Sequence, residues 1–284
     1  MITQVEKLII KGAILLSVLF LFYYGKAHYE LYTKSYQKDT IGNEVYESLN
    51  KSKRKAKGVK KLLLGDSIGK QLYDSKDWND TIYSLTCNQA ISLAGQYIFL
   101  KNFVDNNTLE PDFEVILLCI PPAFRNNLDQ IFTYHYFVKP FYTAENRPSL
   151  TDLVHEQVGK VPYSAFAQFP MVKVSDWAPD VDFVSNRDTV MRNPFISDIS
   201  MEYLQKIKEL AAEKGFRFQV RPTFMKETYR DADFRRMKAQ IRDNGLGDIF
   251  GNYFGKIQYL KEELFMDHAH LKNRNSVKKN WLDL

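Results

Sequence analysis

Cysteine is scarce in this chain of 284 residues, with two in all, Cys87 and Cys119, each inside an apolar stretch. No CxxC pair and no Cys/His cluster has zinc-ligand spacing, which excludes a zinc framework. No metal or organic cofactor is expected. Buried free thiols are the default reading, and a disulfide stays open for a domain outside the cytoplasm. Internal repeats are also missing. Low hydrophobicity and extreme charge, the marks of disorder, are absent too: 45% of residues are hydrophobic and 26% charged, as in an ordinary globular protein. The net charge of +5 is concentrated in Lys51, Lys53, Arg54, Lys55, Lys57, Lys60 and Lys61. Such a run usually faces water or lipid headgroups, and no nucleic-acid partner is expected.

One long apolar run is present. Leu8 to Tyr24 reads LIIKGAILLSVLFLFYY, with Lys11 as its only charge. It is slightly short for a centred membrane span of about 20 residues. Lys7 and Lys11 suit one headgroup layer and Tyr23 and Tyr24 the other. No small-x-small cleavage site follows, so an uncleaved anchor is favoured over a signal peptide. Residues 1–25 are therefore read as an anchor or signal segment and 26–57 as a polar helical stalk. Residues 58–284 are read as one domain, outside the cytoplasm by preference.

Within that domain, strands alternate with helices. Val59–Leu64 and Phe113–Ile120 are short apolar runs of the kind found in strands buried on both faces of a parallel sheet. Thr81–Thr86, Phe216–Val220 and Asp248–Tyr253 read as further strands. Helices are predicted over Ile68–Asp74, Ser92–Val104, Met201–Lys214, Asp231–Arg242 and Asn273–Leu282. This pattern predicts an α/β fold, an open, mostly parallel sheet covered by helices in a three-layer α/β/α sandwich. Residues 123–197 break the pattern as an aromatic-rich insertion. Its segment Ile131–Tyr142 (IFTYHYFVKPFY) suits sugar stacking, a membrane interface or plain packing, with packing favoured. His135 and His155 read as structural or exposed, and Trp177 and Trp281 carry no signal alone.

Ligands of open α/β sheets bind beyond the carboxyl ends of the strands, and three polar motifs fall there or in late loops: Gly65-Asp66-Ser67, Asn88-Gln89-Ala90-Ile91-Ser92 and Asp267-His268-Ala269-His270. A serine hydroxyl needs a base to become a nucleophile, and the base is normally a histidine oriented by a carboxylate. The three-residue spacing of Asp267 and His270 lets one turn bring carboxylate and imidazole together, leaving the other ring nitrogen for Ser67. Singly, each motif reads as a turn, a cap or a surface loop. In this order, with serine after the first strand and DxxH near the C-terminus, they point to serine acyl chemistry.

These motifs resemble the SGNH/GDSL hydrolase superfamily. LLLGDSIG, residues 62–69, resembles its first block, which implies Ser67 as nucleophile. NQAIS, residues 88–92, resembles the second, which implies Ala90 in place of a glycine whose N–H joins that of Ser67 in the oxyanion hole. DHAH, residues 267–270, resembles the last, which implies the triad roles of Asp267 and His270. The third block departs: CIPPAFRNN, residues 119–127, has no asparagine at the usual place. Asn126 or Asn127 is the candidate substitute, and loss of one such donor typically costs about 100- to 1000-fold in rate. A relaxed third block with an N-terminal anchor is similar to the DltD-like branch, whose members handle acyl groups on cell-envelope polymers. The resemblance implies an esterase or O-acyltransferase acting on a glycan-linked acyl ester, with a membrane acyltransferase as candidate partner. Two alternatives stand beside it: a catalytically weak member that binds glycan or a membrane partner, and a lipid-directed lysophospholipase.

Overall fold

The computed structural model describes residues 3–38, 42–73, 81–130, 132–161, 164–165 and 187–273. It starts with α1 (Gln4–Thr33), a helix of 30 residues, about 45 Å long at 1.5 Å per residue. A capping box between Thr3 and Glu6 opens α1 and Lys34, in the left-handed region, closes it. No residue of α1 is buried. It is long and apolar enough to cross a membrane, as an anchor or a signal sequence would be.

The expected stalk is divided. Its first part continues α1, but α2 (Asn43–Ser52) packs onto the domain through Val45, Tyr46, Ser48, Leu49 and Ser52. Those positions recur at helical spacing and give α2 an apolar face, which the surrounding Lys and Glu residues hide in the sequence. Two bonds fasten its end to the next layer: Asn102 Nδ2 donates to Ser52 Oγ at 3.1 Å and Tyr83 Oη to the Lys51 carbonyl at 2.9 Å. The basic run is partly spent on the protein itself, since Lys51 donates to the Ser84 carbonyl and Lys60 pairs with Asp112.

The expected α/β fold follows. β1 (Lys61–Gly65), β2 (Ile82–Ser84), β3 (Glu114–Leu118) and β4 (Arg217–Arg221) form a sheet of order β2-β1-β3-β4, parallel throughout. β1 runs into α3 (Ser67–Leu72), β2 leads through a tight turn into α4 (Ser92–Asn106), and α8 (Asp198–Lys214) precedes β4. Leu62, Leu63 and Leu64, and Val115 through Leu118, have no exposure. Their continuous burial is what the apolar runs anticipate, because helices cover a parallel sheet on its faces. Gly215 ends α8 at φ 75°, where a side chain would be strained.

Among the described residues of the aromatic insertion, the segment over Tyr134–Phe141 is core. A π-helical turn over Tyr134–Val138 leads into α5 (Lys139–Phe141), and Tyr134, Phe137, Val138 and Phe141 are buried. The Phe141 ring lies 5.5 Å from that of Phe99 on α4. Further on come α6 (Asp152–Lys160) and α7 (Arg187–Arg192). His155 Nδ1 meets the Tyr142 hydroxyl at 3.1 Å, and His135 is buried.

The expected strand over Asp248–Tyr253 is instead α10 (Gly247–Phe250), preceded by α9 (Arg235–Asp243). Ile249, Phe250 and Tyr253 are buried at a spacing that serves one helical face, and a short apolar run does not separate helix from strand. Two strands of three residues that the sequence reading lacks, β5 (Phe224–Lys226) and β6 (Gln258–Leu260), pair in parallel as a second sheet. Cys87 and Cys119 are buried free thiols; burial pushes Cys87 up to about 12 and Cys119 well above its ordinary range. Trp177, Trp281 and the expected terminal helix beyond Asn273 lie outside the described residues.

Candidate active site

The strand order places a topological switch at β1 and β3. From β1 the chain moves to β2 on one side, then returns to β3 on the other. The crevice beyond such a switch is where open α/β sheets bind ligands. Ser67 follows β1 there, and Ile120 to Arg125 follow β3.

The turn that presents Ser67 is set by its two predecessors. Gly65 lies opposite Leu118 in the register, and a Cβ at Gly65 would collide with the Leu118 carbonyl oxygen. No other residue fits this approach. Asp66 caps α3: its Oδ1 accepts from Ile68 N at 2.9 Å and Gly69 N at 3.0 Å, and its Oδ2 accepts from Ile120 N at 3.3 Å. One carboxyl thus ties the Ser67 turn to the end of β3. Burial raises the pKa of Asp66 against the opposing pull of these N–H groups. Gln96 completes the lock, donating to the Gly65 carbonyl at 2.8 Å and accepting from its N–H at 3.3 Å.

Asp267 and His270 occupy a loop after β6. A bridge between Phe265 and Leu271 closes it, with Met266 N donating to the His270 carbonyl at 2.8 Å. Asp267 Oδ1 accepts from the N–H groups of Ala269 and His270, both at 2.8 Å, and Oδ2 meets His270 Nδ1 at 2.8 Å. Burial alone would raise the Asp267 carboxyl, but the two N–H groups and the imidazole together outweigh it and hold it at about 2. An ionised carboxylate only accepts, so the proton resides on Nδ1. His270 Nε2 then presents a lone pair, and Ser67 Oγ lies 2.8 Å away. His268 turns from this contact, with its Nδ1 4.0 Å from Asp267 Oδ1.

Gln71, which the sequence reading passes over, joins the two halves. Its Nε2 donates to the Leu271 carbonyl at 3.2 Å and its Oε1 accepts from Leu271 N at 3.0 Å. The side chain amide of α3 thereby pairs with the backbone amide beside His270. A glutamine four residues after the serine is the only trace of this in sequence.

The expected oxyanion donors fare differently. Ala90 lines the cleft, but its N–H donates to Asn88 Oδ1 at 2.9 Å. Asn126 is fully buried, its Nδ2 donating to the Gln89 carbonyl and its Oδ1 accepting from Leu128 N. Asn127 Oδ1 accepts from Ile199 N. Neither Asn126 nor Asn127 is among the residues lining the cleft; they pin the loop after β3 to its neighbours. Asn88, however, lines the cleft beside Ser67. Its Oδ1 accepts from Ala90 N.

The cleft has a volume of about 210 Å³ and mixes polar groups, such as Asn88, Arg125 and Gln130, with Ile120, Pro122 and Met191. Phe132 stands half-exposed on its wall in the left-handed region at φ 67°. Among the described residues no group of three or more His, Cys, Asp or Glu is placed to hold a metal. The fold and site thus define an α/β domain in which a serine, a histidine and an aspartate form a hydrogen-bonded chain beyond a parallel sheet. Comparisons of the sequence with protein-family models and with curated proteins, and of the structure with solved ones, give no match.

Proposed function

We propose that this chain is a serine-dependent esterase or O-acyltransferase of the SGNH type, held at a membrane by α1. The observation that carries the reading is the relay itself, Ser67 Oγ to His270 Nε2 and His270 Nδ1 to Asp267, each at 2.8 Å. Ser67 Oγ attacks the ester carbonyl carbon while its proton passes to His270 Nε2. Asp267, ionised at every working pH, stabilises the imidazolium. The oxyanion is held by the Ser67 N–H and, in place of the departed third-block asparagine, by the Asn88 amide. His270 returns the proton to the leaving alkoxide, and an acyl-serine remains. Water, or the hydroxyl of an acceptor, then attacks with His270 again as base, and Ser67 regains its proton.

The resemblance in the motifs and the N-terminal helix together support an acyl ester on a cell-envelope polysaccharide or glycolipid as substrate. A cleft of about 210 Å³ is below the 300–1,000 Å³ of typical ligand pockets. That favours a short acyl group with one adjoining unit over an enclosed lipid chain, and sets the lysophospholipase reading behind. Purified protein should hydrolyse short esters and take a fluorophosphonate label, and Ser67→Ala should remove both, with a rate loss on the order of 10⁴-fold or more. Turnover that survives Ser67→Ala would end the reading. A second reading, a non-catalytic glycan-binding member, is favoured by the engagement of the Ala90 N–H with Asn88. An intact fold that never takes the label would support it.

A further inference from the structure

A second concavity, of about 470 Å³, lies where α1 meets α2 and shares no lining residue with the cleft at Ser67. Among the described residues its wall carries the cations Lys34, Lys38, Lys51 and Arg54 and one carboxylate, Glu47. Even with Asp39, which lies outside the described residues, set against them, cations outnumber carboxylates. Lys51 is committed to the fold, donating to the Ser84 carbonyl at 2.9 Å with its Nζ 4.5 Å from the centre of the Tyr83 ring. Lys34, Lys38 and Arg54 are exposed, and their side chains make no hydrogen bond or ion pair among the described residues. Glu47 is exposed as well and pairs with none of them.

Two elements bring these charges together, and the junction between them is closed. Lys34, left-handed at φ 52°, turns the chain from the end of α1 into the 3₁₀ turn Ser35–Gln37. From α2, Asn50 Nδ2 donates to Gln37 Oε1 at 3.0 Å. The Tyr36 ring meets the buried Tyr46 ring edge-on at 5.8 Å. The same place adjoins the surface of α1 that suits a membrane interface. Tyr29, Leu31 and Tyr32 stand 66%, 42% and 90% exposed, and Tyr32 is two residues before Lys34. Exposed tyrosines near the end of a membrane helix sit at headgroup depth. Interface-type residues thus continue along α1 to the rim of the concavity. Lys and Arg within about a Debye length of an anionic membrane surface are attracted to it.

We infer that the concavity between α1 and α2 holds the headgroup of an anionic phospholipid, with Lys34, Lys38 and Arg54 facing its phosphate. The inference rests on the reading of α1 as a membrane anchor and is independent of chemistry at Ser67. Glu47 limits the affinity for a second negative charge.

The test uses the full-length protein in a non-ionic detergent. It is titrated with phosphatidylglycerol, with phosphatidylcholine of the same chains and with glycerol 3-phosphate, and bound molecules are counted by native mass spectrometry. One phosphatidylglycerol should bind at least about tenfold more tightly than either of the others. The variant Lys34→Gln/Lys38→Gln/Arg54→Gln should weaken it about 10- to 100-fold, the share of three juxtamembrane cations, and bring it level with phosphatidylcholine. Glu47→Gln should tighten it a few-fold, and this arm stands even if the triple variant does not fold. Lys55→Gln/Lys57→Gln removes exposed cations of the same basic run that do not line the concavity, and should leave the preference in place. Equal binding of the two lipids, a preference that survives the triple variant, or an equal loss in Lys55→Gln/Lys57→Gln overturns the inference. Glycerol 3-phosphate binding as tightly as phosphatidylglycerol would assign the concavity to a soluble phosphate and overturn the lipid. Failure of the anchor reading shows separately, as protein that leaves membranes in alkaline carbonate without detergent, and it removes the inference with it.

Discussion

Ser67 and His270 meet at 2.8 Å, yet the chain holds them by opposite means. The Ser67 turn belongs to the sheet. Gly65 lies against the Leu118 carbonyl, Asp66 is 2% exposed, and one carboxyl binds three N–H groups drawn from α3 and the end of β3. Inside the His270 loop the bonds are local, apart from the Gln71 clamp on Leu271. The Asp267 side chain is 42% exposed, and its hydrogen bonds among the described residues go to residues two and three ahead of it. Moving Ser67 therefore requires deforming the core, whereas the histidine's alignment is a property of four consecutive residues. Substitutions in the first should cost stability, and in the second catalysis alone.

The sharpest break in that contrast comes at Asp267. Asp267→Asn removes the acceptor that fixes the proton on His270 Nδ1 and the charge that stabilises the imidazolium. Ester turnover should fall on the order of 10⁴-fold. The denaturant midpoint should move by less than about 1 kcal/mol, as for exposed positions. Because the carboxyl is held at about 2, its small stabilising share is present above the ordinary carboxylate pKa near 4. That share is lost as pH falls through about 2. A loss of turnover under tenfold would mean that the loop aligns His270 without its acid.

Asp66 should invert the pattern. Asp66→Ala removes a helix cap and leaves buried N–H groups of Ile68, Gly69 and Ile120 without their acceptor, at a cost of about 2–4 kcal/mol. Here the folded pKa is raised by burial, so the sign is reversed. The side chain's contribution is full below the ordinary carboxylate pKa and declines as pH rises toward the folded value. Urea unfolding of wild type and variant should show a gap that is wider at pH 4 than at pH 7. A gap that widens with pH would mean that Asp66 favours the fold mainly as an ion.

What was legible in sequence follows the same division. β1, β3, the GDS turn and the DxxH loop were readable because each is a local pattern: an apolar run, a glycine before a tight turn, an acid three residues before its histidine. The long-range terms were not. Nothing near Asn126 says that its amide is consumed by the Gln89 carbonyl and by Leu128 N. Nothing near α2 says that its polar sequence hides a buried face. β5 and β6, three residues each, are too short to show a period, and α10 presents a short apolar run that strands share. Beside the N–H groups of Ser67 and Ala90, motif order suggests a further donor after β3, where Asn126 and Asn127 instead bond to Gln89, Leu128 and Ile199. Asn88, on the loop after β2, lines the cleft.

The link between the two halves gives the finest test. Gln71 and Leu271 are 200 residues apart and share two hydrogen bonds, so α3 carries both Ser67 at its start and the clamp on the His270 loop near its end. Gln71→Ala keeps the serine turn and the Asp267–His270 bonds but releases the loop that bears them. A misplacement of about 1 Å can cost about 100-fold, and because DxxH still orders itself, the expected loss in kcat is nearer tenfold. KM should hold, since Gln71 is not among the residues lining the cleft. Hydrogen exchange at the Leu271 amide should quicken while the thermal midpoint shifts little. Gln71→Glu keeps the acceptor for Leu271 N and loses the donor to its carbonyl, so its kcat should fall between wild type and Gln71→Ala. If Gln71→Ala slows exchange nowhere, quickens it nowhere and leaves kcat intact, the base loop is positioned by its own bonds and by Phe265–Leu271 alone, and the contrast between the two halves is complete.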